Sequence, residues 1–256
     1  MRGPLAPKLA LARSLRALTR LRGGGGTSAP GKLLLRLDPD AIGELAARLP
    51  QGSLVVSATN GKTTTAALAA GIFKQQGLRL VHNRAGANMA GGIASTLLDA
   101  STTRGTIDGD MGLFEVDEFW LGELIAQLRP RAILLGNLFR DQLDRYGELE
   151  SIAERWAQTL AATPGSAATL VLNADDPLVA DLGRARDARE SDSRDGATAG
   201  GAGAPRAHGA GRVIHYGVED DSLALPGMSH AADAKHCRRC SAPYLFDAVY
   251  MGHLGH

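Results

Sequence analysis

Ser57-Ala58-Thr59-Asn60-Gly61-Lys62-Thr63-Thr64-Thr65 follows the apolar run Leu54-Val55-Val56 and opens a helical stretch near 62–76. A strand that turns at glycine into a helix aims backbone N–H groups and the positive end of the helix dipole at one point, which favours phosphate. There Lys62 can neutralise terminal phosphates, and the Thr63 hydroxyl can join a Mg²⁺ shell. The general phosphate-loop pattern asks for another glycine five residues before Gly61, where this chain has Val56. The strand-to-helix context therefore carries the nucleotide-binding reading; the alternative is a plain strand-turn-helix.

Outward from the loop, apolar runs at Leu113-Phe114-Glu115-Val116, Ala132-Ile133-Leu134-Leu135 and Leu170-Val171-Leu172 alternate with helical stretches near 117–128 and 150–162. This alternation predicts an α/β fold with a mostly parallel sheet covered by helices. The nucleotide-binding core is placed at 51–182. Ahead of it lies the segment 1–50, whose first 22 residues hold Arg2, Lys8, Arg13, Arg16, Arg20 and Arg22 with no acid, and there Leu5, Leu9, Leu15 and Leu18 recur at roughly helical spacing. That pattern predicts a basic amphipathic helix. Gly23 to Gly31 reads as a linker, and Asp38-Pro39 as N-cap and first residue of a helix near 40–49. Residues 183–212 are dominated by Gly, Ala, Ser, Arg and Asp without aromatics or hydrophobic period, predicting a disordered insertion. A strand at Val213-Ile214-His215-Tyr216 resumes the fold in the segment 213–256.

With 256 residues, 44% of them hydrophobic, the chain can bury one or two ordinary cores, and a net charge of +1 gives no general reason to expect nucleic acid. Arg13 and Arg16 interrupt every candidate signal segment, and no run approaches the roughly 18 apolar residues of a membrane span. Cys237 and Cys240 form one C-x-x-C pair, unlike a secreted disulfide framework, so the cytoplasm is the expected compartment.

Three further stretches carry chemistry. Phe114-Glu115-Val116-Asp117-Glu118 lies at a strand end, where one carboxylate can face the phosphate loop and complete a Mg²⁺ site. Asp117 and Glu118 equally fit the start of the next helix, favoured by its dipole. Asn83-Arg84-Ala85-Gly86-Ala87-Asn88 and Leu172-Asn173-Ala174-Asp175-Asp176-Pro177 read, by composition alone, as turns.

In combination these motifs resemble the Mur ligases. The short T-N-G-K-T-T loop is the form carried by Mur ligases and folylpolyglutamate synthases. Asn137-Leu138-Phe139-Arg140-Asp141-Gln142-Leu143-Asp144 resembles the Mur signature N-x-x-x-D-H-L-D, with Gln142 in place of its histidine. The modified lysine that ordinary Mur ligases carry soon afterwards has no counterpart, since no lysine occurs between Lys74 and Lys235. Both departures fit the MurT group, whose signature reads D-Q-L-D.

The resemblance implies that Thr59, Asn60, Gly61, Lys62, Thr63, Thr64, Asn137, Asn173 and Asp176 bind ATP, and that Thr63 and Glu115 hold Mg²⁺. It implies catalytic roles for Lys62, Glu115, Asp141 and Asp144, and substrate contacts for Asn83, Arg84 and Asn88. The implied reaction is amidation of the D-glutamate α-carboxylate of lipid II at the membrane surface in peptidoglycan biosynthesis, with ammonia from a GatD-like glutamine amidotransferase subunit.

His236-Cys237-Arg238-Arg239-Cys240 reads as half of a zinc ribbon, whose second pair usually follows roughly 15–20 residues later. MurT proteins carry a four-cysteine ribbon, and Tyr250 to His256 resembles the stretch before its second pair, so the chain looks cut short and its structural Zn²⁺ site at Cys237 and Cys240 incomplete. A Cys₂His₂ finger through His253 and His256 is opposed by their close spacing and by Gly252 and Gly255; an unliganded thiol pair is the third reading. Two rivals accompany the amidation reading: another folate or muramyl ligase, and an inactive nucleotide-binding fragment.

Overall fold

The computed structural model describes residues 5–21, 28–83, 87–139, 148–162, 168–184, 211–218, 220–225, 236–237, 239–251 and 254–255. They belong to two compact units, Met1–Ser57 with Gly61–Ala132, and Ala58–Asn60 with Ile133–His256.

The first unit begins with the expected basic helix, α1 (Leu5–Leu21), which buries Leu9 and Ala12. Its described cations turn inward to their own unit: Lys8 Nζ pairs with Asp38 Oδ2 at 2.8 Å, Arg13 donates to the Ser101 carbonyl, and Arg16 pairs with Asp99. α2 (Ala29–Leu37) occupies part of the stretch read as linker. Pro30 stands in its first turn, where its missing N–H costs no helical bond. Gly31 lets α2 approach α5 (Ala90–Ala100): a Cβ there would overlap the Gly91 carbonyl, and the Gly31 N–H donates to Ser95 Oγ at 2.9 Å. Asp38 closes α2 in an extended conformation, as a residue before proline favours, and α3 (Ala41–Ala46) starts after Asp40 instead of at Asp38-Pro39.

The strands of this unit, β1 (Ser53–Ser57), β2 (Leu80–His82) and β3 (Met111–Glu115), lie in the order β2-β3-β1, with β3 parallel to both neighbours. β3 is buried along its whole length, which accounts for its unbroken apolar sequence. α4 (Lys62–Gln75) follows the phosphate loop, and α6 (Leu121–Leu128) buries Leu121, Leu124, Ile125 and Leu128 at helical spacing. α6 starts later than the helix expected from 117, because Asp117 holds a turn: its Oδ1 accepts from the Phe119 N–H at 3.1 Å.

In the second unit β4 (Ala132–Leu135, all but its first residue), β5 (Thr169–Asn173) and β6 (Val213–Tyr216) are neighbours in that order, β5 and β6 parallel. α7 (Glu148–Ala162) buries Ile152, Ala153, Trp156 and Leu160, an apolar stripe with the helical period. α8 (Pro177–Ala180) is a single turn after β5, and β7 (Val249–Met251) pairs antiparallel with β8 (Leu254–Gly255). The parallel ladders bear out the α/β expectation. The insertion read at 183–212 lies outside the described residues except at its ends. Among the described residues no helix is long and apolar enough to cross a membrane.

Candidate functional site

Gly61 adopts φ 79°, a left-handed conformation that glycine takes without penalty, with nothing near its missing Cβ. The turn is thus a backbone requirement, and it opens α4 with Lys62, Thr63 and Thr64 in the first helical turn and no acid there. Thr63 Oγ1 donates to Glu115 Oε2 at 2.9 Å, and Lys62 Nζ pairs with Glu118 Oε2 at 3.0 Å, both of these side chains 12% exposed. Glu115 ends β3 beside β1, where the Val116 N–H donates to the Val56 carbonyl at 2.9 Å and Ser57 Oγ to the Val116 carbonyl at 2.8 Å.

Two oxygens bound to adjacent corners of an octahedral Mg²⁺ shell, each at about 2.0–2.1 Å, stand about 2.9 Å apart. Thr63 Oγ1 and Glu115 Oε2 have that separation and are both hard ligands, so the pair fits Mg²⁺.

The other motifs of this unit are less open to ligand. Asn83 is 1% exposed, with its amide bonded to the backbone of Glu115 and Ala87. The Asn88 carbonyl accepts from the Asp117 N–H at 2.9 Å. Arg84 lies outside the described residues.

In the second unit, Thr59, Asn60, Asn137 and Asp176 share one network. The Asn137 side chain accepts from the Asn60 N–H at 2.9 Å and donates to the Asn60 carbonyl at 3.1 Å, and its own carbonyl takes the Thr59 N–H at 2.8 Å. Thr59 Oγ1 accepts from the Phe139 N–H at 3.1 Å. Asp176 Oδ2 accepts from the Leu138 N–H at 2.8 Å, while its Oδ1 caps α8 through the N–H groups of Leu178 and Val179 at 2.9 and 3.2 Å. Asn173 forms a local turn with Asp175, whose Oδ2 takes the Val218 N–H at 2.8 Å. The Tyr216 phenol is pushed above its ordinary pKa by burial, then by the charges of Asp175 and Asp176. Asp141, Gln142 and Asp144 lie outside the described residues.

The cysteine pair forms a tight knuckle: the Cys237 N–H donates to the Ala242 carbonyl at 2.8 Å, the Ser241 N–H to the Cys237 carbonyl at 2.9 Å, and Arg239 Nε to Asp181 Oδ1 at 3.0 Å. The N–H groups of Arg239 and Cys240, then the Cys240 thiol and the Tyr244 hydroxyl, stabilise the Cys237 thiolate and lower its pKa to about 7. Among the described residues no three His, Cys, Asp or Glu side chains gather to hold a metal. Iodoacetamide should modify Cys237 of the metal-free chain with a rate that rises through about pH 7, and Tyr244→Phe should move that midpoint upward. A midpoint in the ordinary thiol range would contradict the knuckle.

Two roles were not visible in the sequence: Glu118 as counterion to Lys62, and Asp176 as the tie between α8 and the 137–139 segment. Only the D-D-P order after β5 hinted at the second, as a helix cap.

Residues 56–221 match the family model of the Mur ligase middle domain. Lipid II isoglutaminyl synthase (glutamine-hydrolyzing) subunit MurT from Staphylococcus aureus (strain N315) is 28% identical over 246 residues, 96% of this chain and 49% of that protein. The Streptococcus pneumoniae protein of the same name is 37% identical over 161 residues, 63% of this chain and 34% of its own. A pseudomurein peptide ligase type C from Methanothermus fervidus shares the fold, with a TM-score of 0.53 at 19% identity over 81% of this chain and 35% of that one. The chain thus spans about half the length of the staphylococcal relative.

Proposed function

This chain belongs to the Mur ligase family through its middle domain, and on that premise we propose that it forms the ATP-using part of a ligase that amidates the D-glutamate α-carboxylate of lipid II in peptidoglycan biosynthesis. The observation that carries the reading is the pairing of Thr63 with Glu115 beside Lys62 at the glycine turn into α4. The MurT name borne by relatives matching up to 96% of the chain supports the amidation, as do Gln142 and the missing signature lysine.

A carboxylate is a poor acyl donor until one oxygen is converted into a leaving group. In the proposed reaction a carboxylate oxygen bonds to the γ-phosphorus of ATP and ADP departs, leaving an acyl phosphate. Ammonia then attacks the carbonyl carbon, the C–O bond to phosphate breaks, and the nitrogen loses a proton. Lys62 and the N–H groups opening α4 stabilise charge on the transferring group. Thr63 and Glu115 would hold Mg²⁺, which would further neutralise the phosphates. In this reading Thr59, Asn60, Gly61, Thr64, Asn137, Asn173 and Asp176 also serve ATP binding, Asp141 and Asp144 serve catalysis, and Arg84 and Asn88 contact the substrate. Cys237 and Cys240 give two ligands to a structural Zn²⁺.

The ammonia comes from a GatD-like partner in this proposal. A glutaminase needs an activated cysteine nucleophile, and the printed name of the relatives, a subunit of a glutamine-hydrolyzing synthase, supports a second chain as its source. A protein of the full length of its relatives should amidate lipid II from glutamine only with that partner, and from free ammonium alone. The acid-to-amide mass decrease of lipid II reads the outcome. Glutamine-dependent amidation without the partner would overturn the two-subunit reading, and failure to amidate with either nitrogen source would overturn the reaction.

A further inference from the structure

β2 and β3 run parallel with His82 opposite Leu113, and past that pair the ladder continues through a side chain. The Asn83 amide oxygen accepts from the Glu115 N–H at 2.8 Å, and the amide nitrogen donates to the carbonyls of Glu115 at 2.7 Å and Ala87 at 2.8 Å. On its other edge Glu115 is in register with Val56 of β1. The Glu115 peptide is therefore gripped from both sides. What remains free is its side-chain torsions, and those bring Oε2 to Thr63 Oγ1.

We infer that Asn83 is a positioning residue for Glu115, fixing the carboxylate that with Thr63 would hold Mg²⁺, and that its amide does not serve as a substrate contact. The inference rests on the ATP–Mg²⁺ reading of the site. The geometry calls for an amide: one acceptor must face an N–H while donors on the same group face two carbonyls. An aspartate of the same size keeps the acceptor but sets a negative oxygen against the carbonyls of Ala87 and Glu115. Alanine leaves all three backbone groups without their partner in a buried place.

The test is calorimetric titration of the 256-residue chain with ATP, once with Mg²⁺ and once with EDTA, for the native protein, Asn83→Ala and Asn83→Asp, with circular dichroism to check folding. Both variants should need at least about tenfold more Mg²⁺ for half-maximal enhancement of ATP binding, while affinity in EDTA stays within about twofold, a split that a general loss of structure does not produce. The difference should disappear when Glu115→Gln is also present, because the two residues act through one another. An unchanged Mg²⁺ requirement in a folded variant would overturn the role, as would equal losses with and without Mg²⁺. Failure of both variants to fold would overturn it too, placing Asn83 in the service of the fold at large. A native chain whose ATP binding ignores Mg²⁺ would instead sink the site assignment, and this role with it.

Discussion

Lys62→Ala lowers affinity for ATP–Mg²⁺ at least about 100-fold, to no detectable binding in a calorimetric titration; that is the largest functional effect expected of a single substitution here. A charged hydrogen bond to phosphate contributes roughly 1.5–3 kcal/mol. The ammonium also neutralises Glu118, whose side chain is only 12% exposed. Removing it leaves a poorly solvated carboxylate near the phosphates, and like charges at that range repel in a partly buried site. Together the two effects exceed the roughly 2.7 kcal/mol that corresponds to 100-fold. The double variant Lys62→Ala with Glu118→Gln should therefore recover part of the loss, whereas equal affinity in native chain and Lys62→Ala would refute the phosphate-loop role.

Asp176→Ala should cause the largest loss of stability, about 3–5 kcal/mol in denaturant unfolding, because it strips partners from three backbone N–H groups around a residue that is 3% exposed. Asp176→Asn keeps one acceptor oxygen and should lose distinctly less. The damage should also reach ATP binding: the Leu138 N–H held by Asp176 is next in sequence to Asn137, whose side chain fixes both backbone groups of Asn60. A loss for Asp176→Ala within about 1 kcal/mol, the range of ordinary surface positions, would contradict this structural role.

The parts of the fold set by local pattern were legible. Runs such as Leu54-Val55-Val56, apolar on successive residues, betray a largely buried parallel strand, and the 149, 152, 153, 156, 160 stripe of α7 betrays a helix. α2 was hidden because Pro30 and Gly31 look like linker residues; Pro30 is harmless in a first turn, and Gly31 is needed where α2 meets α5. α5 was hidden because Ala90-Gly91-Gly92-Ile93-Ala94-Ser95 is buried on nearly every side and so has no polar face to mark a period. β2 is three residues long, too short to show one.

At the site, Lys62, Thr63 and Glu115 could be named from the motif because their chemistry follows from residue type at a strand end. The tasks of Asn83 and Asp176 could not, since an Asn or Asp that bonds backbone far away in sequence looks the same as one that caps a nearby turn. For these two, tertiary contact decides the role.

If the phosphate loop serves to phosphorylate a carboxylate, an oxygen of that carboxylate must pass into orthophosphate. Lipid II labelled with ¹⁸O in the D-glutamate α-carboxylate would be incubated with ATP, Mg²⁺ and ammonium and a protein of the full length of its relatives, and the orthophosphate analysed by mass spectrometry. Transfer through an acyl phosphate predicts one ¹⁸O in orthophosphate for each amide formed, whereas amide formation with unlabelled orthophosphate, or with the label in AMP, would contradict the account.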